Sequence, residues 1–138
     1  MTKDFVNNDP MTSKRRRPTE AELGILRVLW EGGPRSVRDI QRIINDARPT
    51  GYTTVLKLMQ IMTDKGLVER DESQRPQIYK ARYSQEHTQR QLLRDLLDRA
   101  FGGSVKELVL QALATQRSSA EELEAMEKLL DKFEGDKK

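Results

Sequence analysis

The 138-residue chain contains no cysteine, which excludes disulfides, thiolate metal centres and cysteine nucleophiles. Histidine occurs once, as His87, and its place at the start of a polar helix turn predicts a structural or solvent-facing role. Aromatic residues make up 5% of the chain and hydrophobic residues 36%, a low share for a globular protein. No apolar run approaches the roughly 18 residues of a membrane-spanning helix. The first residues carry Lys3 and Asp4 without an apolar stretch of signal type, so the cytoplasm is the expected compartment and no membrane partner is expected. A glycine-rich phosphate loop is absent, and no nucleophile, base and orienting group can be assembled into a catalytic set. The chain therefore reads as a non-enzyme with no cofactor. The acidic residues Glu121, Glu122, Glu124 and Glu127 cluster without a histidine, which suits a solvated helix face better than a metal site.

Charge is what the sequence has in excess, at 34% of residues. The net charge of +3 is unevenly spread. Residues 1–83 carry 16 basic against 11 acidic side chains, whereas residues 84–138 carry 9 against 11. A basic amino-terminal half points to a polyanionic partner, and an acidic remainder argues against contact along the whole chain. A basic solvated face would give the same count. The length allows one domain, or a small domain with an appendage.

Local signals divide the chain into three parts. Residues 1–17 lack periodicity and end on Lys14, Arg15, Arg16 and Arg17, so they read as a disordered basic arm. Such an arm enters a minor groove in some proteins and is a solubilising tail in others. Thr19 and Glu22 form a capping-box signature for a helix from Glu20 to Glu31, which Gly32-Gly33-Pro34 stops. Ser36 and Asp39 start a second helix with Val37, Ile40, Ile43 and Ile44 spaced as a single buried stripe. After Arg48-Pro49-Thr50-Gly51 a third helix is predicted from Tyr52 to Lys65. Val55, Leu58, Met59 and Met62 form its inward stripe, opposite Thr53, Thr54, Lys57, Gln60 and Ile61. Gly66 ends it. An extended stretch from Leu67, a polar turn over residues 71–76 and an alternating strand over residues 78–83 read as a hairpin. Residues 84–138 are helical throughout, with helices at 85–101 and 105–114 and a last one capped by Ser118-Ser119.

The fold class expected is mainly α with a small β-hairpin wing: a winged helix-turn-helix domain over residues 18–83, then a helical dimerisation region over residues 84–138. In that arrangement the third helix can enter the major groove while the hairpin lies along the flanking backbone. Thr53, Thr54, Lys57 and Gln60 are then candidates for base contact, and Tyr52, Arg75, Lys80 and Arg82 for phosphate contact. Two other readings stay open from spacing alone. The face could be ordinary solvated surface, and winged helices also serve as protein-interaction or RNA-binding modules. The apolar stripes Leu92, Leu93, Leu96, Leu97 and Phe101, with Leu123, Met126, Leu130 and Phe133, suit the core of a homodimer better than a lipid surface, because these helices cannot bury them alone.

Several segments resemble the penicillinase-repressor (BlaI/MecI) family. They are Pro18-Thr19-Glu20-Ala21-Glu22-Leu23, Leu29-Trp30-Glu31, Ser36-Val37-Arg38-Asp39-Ile40, Tyr52-Thr53-Thr54-Val55 with Lys65-Gly66-Leu67-Val68, and the stretch from Leu96 to Ser104. The resemblance covers about residues 18–133. It implies a bacterial transcriptional repressor that binds inverted-repeat operators in double-stranded DNA as a homodimer, with a regulatory protease or sensor protein as a further partner. Antibiotic-responsive members are cut at an Asn-Phe pair after a Leu-Val-Leu-like segment. Here Leu108-Val109-Leu110 precedes Gln111 and Ala112, which become the candidate cleavage point. A copper-responsive branch carries clustered cysteines that this chain lacks.

Overall fold

The computed structural model describes residues 17–115 and 119–136, with side chains through residue 132. The expected arm through Arg16, the Gln116-Arg117-Ser118 link and the Phe133 side chain lie outside the described residues.

Helix α1 spans Glu20–Gly32. Thr19 accepts from the Glu22 amide at 3.2 Å, and the Glu22 carboxylate accepts from the Thr19 amide at 2.8 Å. The capping box thus forms as the sequence predicts. Helix α2 spans Val37–Ala47, and Ser36 caps it by accepting from the Asp39 amide. Helix α3 spans Tyr52–Lys65 and closes on Gly66, whose φ of +80° is a left-handed value that a side chain would disfavour. Strands β1, Val68–Asp71, and β2, Ile78–Ala81, pair antiparallel with Val68 opposite Ala81 and Asp71 opposite Ile78. The return strand is shorter than the predicted 78–83. Arg82 lies beyond it and donates its amide to the Leu67 carbonyl, where the chain turns toward the next helix.

One backbone contact is not written in any side-chain pattern. Arg35 and Tyr79 exchange both amide–carbonyl hydrogen bonds, at 3.0 and 2.8 Å. This bridge ties the loop before α2 to the hairpin and sets the wing beside the helices. Ile25, Leu26, Leu29, Val37, Ile40, Val55, Met59, Met62, Leu67, Val68 and Tyr79 form the buried core beneath. Part of each helix's inward stripe contributes to it; Ile44 and Leu58 pack against it from its margin, whereas Ile43 of the predicted α2 stripe is exposed. The result is a winged helix-turn-helix.

Helix α4, Gln85–Ala100, starts at Ser84, whose hydroxyl accepts from the His87 amide. The His87 ring stacks on Tyr83 at 4.7 Å. The chain divides into two compact units, the first ending at Asp95 and the second beginning at Leu96. In the first unit Thr88 is buried, Leu92 packs on the core, and Trp30 Nε1 donates to the Tyr83 carbonyl. The second unit holds the end of α4, then α5, Val105–Thr115, and α6, Ala120–Asp136. Gly103, at φ +83°, donates its amide to Leu97 and turns the chain out of α4. Ser104 and Ser119 cap the two helices that follow. Among the described residues no helix is long and apolar enough to cross a membrane.

Candidate nucleic-acid interface

The outward face of α3 is built by its own amphipathic period. Because Val55, Met59 and Met62 are fully buried, the residues at complementary angles must face out. Tyr52, Thr53, Thr54, Lys57 and Gln60 are all exposed. The helix begins at Gly51, which offers no side-chain cap. Its first amides therefore remain open to an external acceptor such as a phosphate oxygen.

Beside this face runs an open groove of about 520 Å³, lined by Ser36, Arg38, Tyr52, Leu56, Arg75 and Gln77 among others. It lies where the first turns of α2 and α3 meet the wing. The Arg38 guanidinium stands 5.4 Å from the Tyr52 ring centroid, a cation–π distance that holds the charge over the groove. Arg75 reaches the same groove from the wing. The structure thus brings Tyr52 and Arg75 together, although 23 positions separate them.

Two predicted phosphate ligands are placed differently. Lys80 lines a second recess with Glu69, Arg70, Asp71 and Gln74, and it faces Glu69 across the hairpin. Arg82 is exposed past the end of β2, with its guanidinium 5.4 Å from the Tyr83 ring centroid. Neither lines the groove that holds Tyr52 and Arg75. The wing turn is internally braced. The Asp71 carboxylate accepts from the Ser73 hydroxyl, the Gln74 amide group and the Ser73 amide. These bonds, led by the Ser73 hydroxyl, hold its pKa below the usual carboxylate value. Arg70 is engaged in the same region by the Tyr79 hydroxyl and by Glu72, which raise its pKa.

Arg38 and Gln77 escaped sequence reasoning. An exposed arginine in the first turn of a capped helix has the same appearance as any solvated cation. The available signal was its place two residues after the Ser36 cap, where a cation has no favourable helix dipole and so no local reason to sit.

The remaining predicted residues divide by location. Leu92 packs against the first unit's core. Leu93 and Leu96 are exposed, Leu97 and Phe101 half-buried. On α6, Leu123 is exposed while Met126 and Leu130 are half-buried. Gln111 and Ala112 are exposed within α5.

Comparison with known proteins adds the decisive observation: the family model described as penicillinase repressor matches residues 18–132, well over half of the chain. The chain belongs to the penicillinase-repressor family. No curated protein matches the sequence. Membership makes it a transcriptional regulator rather than an enzyme, and the match covers both the winged helix and the helices that follow it.

Proposed function

We propose that this penicillinase-repressor family member represses transcription as a homodimer on inverted-repeat operator DNA. The observation that carries the reading is the continuity of two surfaces: the polar outward face of α3 and the Arg38, Tyr52 and Arg75 groove at its first turn. The first suits base edges in the major groove, and the second suits the phosphates that flank it. Thr53, Thr54, Lys57 and Gln60 contact bases; Tyr52, Arg38 and Arg75 contact the backbone. Lys80 and Arg82 add charge farther along the duplex.

The second unit supports the homodimer. Among its described side chains none is buried, and Leu96, Val105, Leu110, Leu123 and Leu129 are all exposed. Helices this apolar on one side need a further surface to cover them, and a second copy supplies one with matching stripes. Induction follows from separating the two heads. The segment around Gln111 and Ala112 is exposed and lies within the dimerisation helices, where a protease or sensor protein could act.

The test is duplex binding by the full chain across a salt series, on its own upstream region and on random sequence. A preference for one sequence is expected, with log K falling linearly against log salt. Equal affinity for every duplex, or a preference for single-stranded RNA, would overturn the reading.

A further inference from the structure

One side chain breaks the polarity of the outward face of α3. Ile61 is 37% exposed and takes no part in the core or in the partly buried shell that packs on it. A lone surface isoleucine carries no information by itself, but the position of this one does. Thr54, Lys57 and Ile61 follow one another at intervals of three and four residues, so they stack along one flank of the helix. Ile61 thus extends the row of side chains assigned to base contact by one turn. A polar residue there would be better solvated and equally compatible with the helix.

Chemistry identifies the matching partner. The major groove presents donors, acceptors and a single kind of apolar group, the C5-methyl of thymine. A β-branched side chain in a helix is almost fixed at χ1, so Ile61 offers a rigid apolar knob that loses little freedom on contact. Lys57, one turn earlier, is a donor suited to the acceptor edge of guanine.

We infer that Ile61 is a specificity-determining residue that reads the C5-methyl of a thymine in each half-site. The inference rests on the operator-binding reading above and adds a base identity to it.

The experiment uses the full-length protein and a duplex selected from a randomised pool. Each thymine is replaced in turn by deoxyuridine, which removes the methyl and leaves every hydrogen-bonding group in place. The wild type is expected to lose about three- to fourfold in affinity at one thymine per half-site, the worth of one buried methyl. Ile61→Ala, which lacks the side chain in both subunits, should bind the thymine site about as weakly as the wild type binds a site with that thymine replaced in both half-sites, and should not respond to the replacement. Alanine favours the helix, so an unchanged melting temperature is expected. A deoxyuridine penalty of equal size in both proteins would overturn the inference, as would a site with no methyl-sensitive thymine. In both cases selective duplex binding would survive. A pool that yields no preferred duplex overturns the operator reading and this inference together.

Discussion

At the scale of single residues, the proposed interface separates charges that position from side chains that specify. Arg38 and Arg75 share a groove with Tyr52 and reach it from α2 and the wing, so both should act on phosphates irrespective of sequence. Arg38→Ala and Arg75→Ala are each expected to weaken binding to every duplex and to lower the salt slope by about one. Lys57→Ala and Thr53→Ala, on the outward face, should instead cost on the order of 1–3 kcal/mol on the preferred sequence and little on random DNA. Titrating the four variants against both duplexes at several salt concentrations checks both statements. A salt slope unchanged in Arg38→Ala would remove α2 from the interface. The exposed placement of Lys57 was legible from helical period alone. The placement of Arg38 beside Tyr52 and Arg75 was not, because the groove is formed by three segments distant in sequence.

At the scale of elements, the end of α3 is joined to the start of α1 by a buried ion pair. Glu22 is 1% exposed, and its carboxylate accepts from Lys65 Nζ at 2.7 Å as well as from the Thr19 amide. Lys65 also donates to the Arg17 carbonyl, and the Arg17 guanidinium pairs with Asp95 of α4. The sequence displayed half of this: the capping box announces Glu22 as a helix-start residue. Its second partner lies 43 positions away, beyond any local pattern. Removing Lys65 leaves a buried carboxylate without its counter-ion. Lys65→Met is therefore expected to lower stability by about 3 kcal/mol, and Glu22→Leu combined with it should recover part of the loss. Urea unfolding of both single variants and the double variant checks this, and losses that simply add would show that the pair is not coupled. The same contrast between local and distant explains the hairpin. Alternation over residues 78–83 located β2, but its end is set by Arg82 turning back to the Leu67 carbonyl. The Arg35–Tyr79 bridge is a backbone pairing of a single residue, which leaves no period to find.

At the scale of the whole molecule, the helical continuation divides between the two compact units. Through Asp95 it belongs to the first compact unit, where Thr88 is buried and Leu92 covers the core. From Leu96 onward none of the described side chains is buried, and Leu96, Val105, Leu110, Leu123 and Leu129 are exposed. The sequence pattern shows one helical run from Ser84, since the stripe of leucines does not change character at Leu96, where the second unit begins. A fragment comprising residues 1–95 should therefore fold as a monomer, whereas residues 1–83 should fold less stably, by on the order of 2 kcal/mol, for want of the Leu92 and Thr88 packing. Both fragments lack the proposed dimer stripes from Leu96. On a single half-site the 1–95 fragment is expected to match the full chain. On an inverted repeat it should bind roughly 10²- to 10⁴-fold more weakly, because the second head no longer binds as an intramolecular event. Sedimentation and titration on half and full sites measure both quantities. A stably dimeric 1–95 fragment would place the interface in the winged helix, and equal affinity for the full site would mean that the helices after Leu96 do not join the heads.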